Sequence, residues 1–215
     1  GHIENAAEHV PAGHVAAVEV LLRAGADPNL INSGVGPLHV AATGGHVEVI
    51  RALARAKVDI NGRSSNTSET ALMAAVKAEK PDVVRVLIDA GADTSLSETF
   101  MMPLEYAVWR ANTAVVRELL KDGRTSVNAR HPQAASNALA EGSPLHAALW
   151  CKNPDYNIEL IQTLLAAGAD LAATDKNGDT PVKAAERKRA AAEVPYYQGC
   201  YDAQVAALRS AAATR

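Results

Sequence analysis

An all-α solenoid of about six helix-turn-helix repeats joined by hairpin loops is the fold class this sequence predicts, because three columns of residues recur together. The leucine of a Pro-Leu-His step falls at Leu38, Leu72, Leu104 and Leu145 and, as valine, at Val182, with spacings of 34, 32, 41 and 37. A β-branched core position of the second helix falls at Val18, Ile50, Val84, Val116, Ile161 and Val205. The two columns share one period of about 33 residues, stretched twice by insertions, which is the mark of stacked units. The third column is Ala41, Ala75, Ala107, Ala148 and Ala185. It decides the packing, since only a small side chain lets two helices approach at the short end of the usual separation of roughly 8–10 Å.

The unit is clearest over 36–60, GPLHVAATGGHVEVIRALARAKVDI: a short apolar helix, a Gly-Gly-His turn, a second amphipathic helix and an exit into a polar loop. With Pro-Leu-type steps at GPLH 36–39, SPLH 143–146 and DTPV 179–182, and Gly-Ala-Asp exits at 25–27, 91–93 and 168–170, the chain resembles an ankyrin repeat array over nearly its whole length. A solenoid buries each repeat on its neighbours, so 3–213 is expected to form one domain with repeats at 3–30, 31–64, 65–96, 97–130, 138–174 and 175–213.

The first repeat is degenerate. Val15, Val18, Leu21 and Leu22 give its second helix an apolar stripe and Gly25 supplies a left-handed C-cap. Its first helix, 3–10, lacks the Pro-Leu step and reads as an N-terminal cap or a truncated repeat. The second repeat departs from the pattern once: Lys57 stands where the other units place glycine, so either the turn is reshaped or the strain of a left-handed side chain is tolerated. In the third, Lys80-Pro81 replaces Gly-His, with proline acceptable in a first helical turn. In the fourth, Phe100-Met101-Met102 form an apolar hairpin tip that either folds back or contacts a partner. A small-residue loop over 129–142 and a KNPDY insertion at 152–156 lengthen the fifth. The sixth has the hairpin 175–181, an insertion through Gly199 and a last helix from about Tyr201 to Ala212. Polar replacements at Glu186 and Arg209 in otherwise apolar columns predict a capping repeat that ends the stack.

Net charge is −3 with both signs dispersed, which leaves no electrostatic footprint for nucleic acid or an anionic membrane. Cys151 and Cys200 form no disulfide or metal pattern and predict free thiols in a reducing compartment, the cytoplasm or the nucleus. No apolar run approaches the roughly 18 residues of a membrane span, and no secretory signal is present. Gly1-His2, without an initiating Met, reads as a cloning remnant.

Catalytic patterns fail one by one. Gly142-Ser143-Pro144 follows no strand and belongs to the Pro-Leu-His step, so it is no nucleophile elbow. No phosphate loop, dinucleotide fingerprint or zinc spacing is present, and the chain predicts no enzyme, no cofactor and no metal. His39 and His46 sit at positions where the resemblance implies hydrogen bonds to turn backbone rather than metal ligation. Glu186-Arg187-Lys188-Arg189 reads as a solvated helix face rather than a nuclear signal.

Binding is different, since the resemblance implies a concave face on which variable positions meet a partner. Those positions are Thr43-Gly44, Lys77-Ala78, Trp109-Arg110, Trp150-Cys151 and Arg187-Lys188. Both tryptophans of the chain share one column, and Trp and Arg are the residues most enriched at interface hot spots. The predicted site is Trp109 and Trp150, with Arg110, Lys77, Thr43, Arg187, Lys188 and Met101 around them. Its partner is a protein or peptide, partly apolar and partly acidic, bound by a monomer. The rival expectation is the targeting or scaffold part of a larger enzyme or effector. Asn61, closing LARAKVDIN, resembles the family's substrate pattern for asparaginyl hydroxylation.

Overall fold

The computed structural model describes residues 12–96, 101–121, 123–129, 142–149 and 154–214. Among these residues the chain is helical, with isolated β-bridges only at the hairpin tips Asn32–Val35 and Arg63–Thr70. It divides into two compact units, Gly1–Thr99 and Phe100–Arg215.

In the first unit, helix α1 (Ala12–Arg23) is followed by the antiparallel pairs α2 (Pro37–Gly44) with α3 (Val47–Arg55) and α4 (Ala71–Lys77) with α5 (Pro81–Asp89). First helices pack on first helices, α2 on α4, and second on second, α3 against α1 and α5. The second unit repeats the scheme with α6 (Pro103–Trp109) and α7 (Thr113–Leu120), α8 (Pro144–Ala148) and α9 (Pro154–Ala166), and α10 (Pro181–Ala191) and α11 (Pro195–Ala213). Proline opens seven of these helices, α2, α5, α6, α8, α9, α10 and α11, with its φ already suited to a first turn. Thr70 caps α4, its hydroxyl accepting the Met73 N–H at 3.2 Å.

All five column alanines are buried, and three helix pairs close their turns on them. The N–H of His46 donates to the Ala41 carbonyl at 2.9 Å, Lys80 to Ala75 at 3.1 Å and Asn112 to Ala107 at 3.0 Å. The residue before each donor is left-handed: Gly45 at φ 82°, but Glu79 at 57° and Ala111 at 55°. The Gly-Gly-His turn thus survives loss of glycine with its backbone unchanged. The exit turns behave alike, with Ala26 N–H bonding Leu21 O, Val58 Leu53 O, Ala92 Leu87 O and Ala169 Leu164 O. Lys57 keeps this turn at φ 60°, so its strain, on the order of 1 kcal/mol, is tolerated and the turn is not reshaped.

Exit loops are stitched by a second periodic set of bonds. Asp27, Asp59, Asp93 and Asp170 each accept the N–H two residues on, at Asn29, Asn61, Ser95 and Ala172. Across repeats, Asn29 Oδ1 accepts the Asp59 N–H at 2.7 Å, Asn61 the Asp93 N–H at 2.8 Å and Asn128 the Asp170 N–H at 2.9 Å. At the hairpin tips of the first unit, Gly34 takes φ 87°, a left-handed backbone that favours glycine, and a β-carbon there would also displace the Asn66 side chain.

Three expectations are corrected. Leu21 is 59% exposed rather than packed, because at about 100° per residue it lies at the edge of the face on which Val15, Val18 and Leu22 are half-buried. Helix α11 begins at Pro195, six residues before the expected start, because a proline at N1 initiates a helix that Gly199 does not break. Helix α9 begins at Pro154, inside the expected 152–156 insertion. Phe100 and 130–141 of the expected long loop lie outside the described residues. At the far end, Glu186 and Arg209, the two polar replacements, form an ion pair with each other.

The alanine column predicts that Ala107→Leu destabilises the chain by roughly 1–3 kcal/mol through overpacking, read as a lower denaturation midpoint; an exposed change such as Ala114→Leu should leave it nearly unmoved. The hairpin bonds make a second prediction. The Ser95 hydroxyl, then its N–H, hold the Asp93 carboxyl below its ordinary value, so this contribution is present at neutral pH and lost as pH falls through the folded-state value. Ser95→Ala should raise the Asp93 midpoint towards about 4 in an NMR carboxyl titration, with the stability gap to the parent chain closing in acid.

Candidate functional site

The ends of the first helices carry the predicted contact residues. Thr43 is in the last turn of α2 and Lys77 ends α4, both in the first unit; Trp109 ends α6, with Arg110 as its C-cap, in the second. Trp150 lies outside the described residues.

Trp109, at the end of α6, is 38% exposed. Its ring stands edge-to-face against Tyr106, with centroids 5.5 Å apart and planes at 67°, the arrangement the ring quadrupoles favour. Tyr106 is half-buried on the same helix face, one turn earlier. Sequence reasoning missed it, although the i, i+3 spacing was available. Met101 is half-buried at the hairpin tip before α6. The turn it opens is held by Glu105, whose buried carboxylate accepts the Met102 N–H at 2.8 Å.

The cations expected around the tryptophans are engaged inside the chain. Arg187 bridges Asp175 at 3.2 Å and Asp179 at 3.1 Å, clamping the two sides of its own hairpin. Burial pulls the Asp175 carboxyl up, but bonds from the Asp179 and Asn177 N–H groups outweigh it and hold the carboxyl low, ready for that clamp. Lys188 Nζ reaches back across repeats to the Leu149 carbonyl at 2.8 Å. It thereby satisfies an orphan acceptor at the end of the short helix α8. Lys77 lies 3.7 Å from the Glu69 carboxylate, and Arg110 also has an intramolecular partner. Thr43 is exposed, yet its hydroxyl donates to the His39 carbonyl at 3.0 Å.

The histidines of the Pro-Leu-His steps bond backbone as the resemblance implied. His39 Nε2 meets the Glu69 carbonyl at 2.9 Å, and His146 Nε2 the Asp179 carbonyl at 2.9 Å, each on the next repeat's hairpin. Because the Ser143 N–H donates to His146 Nδ1, that nitrogen is an acceptor and the proton resides on Nε2. His46 departs from that expectation of backbone bonding: among the described residues its ring makes no hydrogen bond to backbone and instead packs on Gly44. Among the described residues no three His, Cys, Asp or Glu side chains are grouped to hold a metal, and no helix is long and apolar enough to cross a membrane. Asn61 is half-buried, with its carboxamide oxygen engaged by the next exit loop.

Comparison with known proteins adds an independent line. A family model of ankyrin repeats in three copies matches residues 4–98 and 66–131, and a single ankyrin repeat model matches 142–176. The chain is 41% identical over 85 residues to alpha-latroinsectotoxin-Lt1a of Latrodectus tredecimguttatus, covering 39% of this chain and 6% of the toxin. It is 26% identical over 170 residues to transient receptor potential cation channel subfamily A member 1 of Homo sapiens, covering 78% of this chain and 15% of the channel. The chain therefore spans a small fraction of these relatives. Among solved structures, the ankyrin repeat domain of Bcl-3, a member of the IkappaB protein family, superposes with a TM-score of 0.71 at 25% identity, covering 91% of this chain and 77% of that one.

The two kinds of cation predict different costs. Lys188→Met leaves the Leu149 carbonyl without its charged donor and should cost about 1.5 kcal/mol, whereas Arg187→Met removes bridges from a half-exposed guanidinium, worth less than about 1 kcal/mol, and leaves the Asp175 carboxylate its backbone bonds. Chemical denaturation of the two variants side by side checks the order.

Proposed function

The chain belongs to the ankyrin repeat family, whose repeats are protein–protein interaction modules, and on that premise we propose that it is a non-catalytic binding module whose anchor is Trp109 on the groove face of its repeats. The observation that supports this choice is the half-exposed indole, steadied edge-on by Tyr106 at the end of α6. A large aromatic surface in a fixed orientation loses little entropy on contact, and such residues dominate interface energetics. Trp150, in the same column, joins the site on sequence grounds. The repeats of 3–213 act in this proposal as one monomeric domain of the cytoplasm or nucleus, with no nucleic acid or membrane partner.

The partner presents an apolar segment to the ring. An acidic component has less support, because Arg187, Lys188 and Lys77 spend their charge on this chain's own acceptors. Asn61 hydroxylation stays part of the proposal; the modified side chain would remain beside the Asp93 N–H it already accepts. A second reading, the targeting part of a larger enzyme or effector, is supported by the small share of the toxin and channel that the chain spans.

Trp109→Ala should leave the helical circular dichroism and melting temperature nearly unchanged. Binding to peptides selected from a random display library on the intact chain should weaken by 2 kcal/mol or more, about thirtyfold. Equal binding by the variant would reject the anchor, and loss of fold would make the ring part of the core.

A further inference from the structure

Four residues before the β-branched core positions Ile50, Val84, Val116 and Ile161 stand His46, Lys80, Asn112 and Asn157. The first three are N-caps of α3, α5 and α7. Asn112 shows what asparagine does there, its Oδ1 accepting the Val115 N–H at 3.0 Å. Asn157 does not do this. Helix α9 starts one turn earlier, at Pro154, which carries Asn157 into the helix interior. There it is 1% exposed, and neither Oδ1 nor Nδ2 has a hydrogen-bond partner among the described residues.

A buried carboxamide with both ends unpaired is costly, while the capping state available to the same residue would satisfy it. We propose that α9 has two N-terminal registers that interconvert. In the long register the helix begins at Pro154 and gains a turn, at the expense of the Asn157 carboxamide. In the short register Asn157 is the N-cap, its Oδ1 accepts the Leu160 N–H as Asn112 accepts that of Val115, and 154–156 leave the helix. Neither wins outright because the backbone bonds gained in one are offset by the side-chain bonds gained in the other.

Hydrogen exchange on the full chain tests this, because the amides of 157–159 are bonded in the helix of the long register and are released from it in the short one, while those of 162–165 are bonded in both. The wild-type chain should exchange at 157–159 at least about tenfold faster than at 162–165. Asn157→Asp, a good cap that cannot be buried as an unpaired charge, should accelerate 157–159 further and leave 162–165 unchanged. Asn157→Leu, which cannot cap but suits burial, should slow 157–159 towards the rate of the following turn. Equal protection of the two groups in the wild type, or protection of 157–159 that Asn157→Asp does not change, would overturn the proposal. The Asp variant decides the matter even if leucine is not accommodated.

Discussion

Everything in the two units depends on how closely the first helix of each pair can approach its neighbours, and one residue per repeat controls that. The column alanine contributes twice. Its methyl leaves room for the facing helix, and its carbonyl accepts the N–H that closes the inter-helix turn, at Ala41, Ala75 and Ala107 alike. A larger side chain would push the helices apart and tilt the same carbonyl, so packing and turn geometry are coupled through one position. This explains why the turn outlasts its glycines: Glu79 and Ala111 accept a left-handed backbone because the closing bond and the buried neighbours over-determine it.

The polar groups follow the same economy of repetition. Within each unit, hairpins and exit loops are tied to those of the next repeat by asparagine side chains and histidine rings bonded to backbone, so these repeats share bonds as well as apolar surface. Charge is used locally. Arg187 holds a hairpin, Lys188 ends a helix and Glu186 neutralises Arg209 on the terminal pair. The proposed function rests on a half-exposed aromatic pair, Trp109 against Tyr106, and not on an electrostatic field. Affinity of that kind resides in a few desolvated anchors and shows weak salt dependence.

The repeat class, the buried columns at Leu38, Leu72, Leu104 and Leu145, and Lys57 as the odd C-cap were legible in the sequence, whereas the left-handed backbone that Lys57 keeps was not. Each legible feature is a periodic or local property: it needs only the identity of a residue and its register within the unit. The partnership between Glu186 and Arg209 was half legible, as two separate anomalies whose common cause is one contact. Where α9 and α11 begin was not legible, since an insertion carrying proline can be a loop or a first turn and only the packing of the following helix chooses.

The candidate site divides along the same line. The sequence alone determined that this is a stack of ankyrin-type helix pairs, and that tryptophan recurs at one position of it. Tertiary structure alone decided which of the neighbouring cations are committed, because Lys188 and Leu149 are 39 residues apart and Arg187 meets its acids only once the hairpin has closed. Periodicity is written along the chain and survives without coordinates. Whether a given charge is spent or available depends on distances between segments that the chain brings together only by folding.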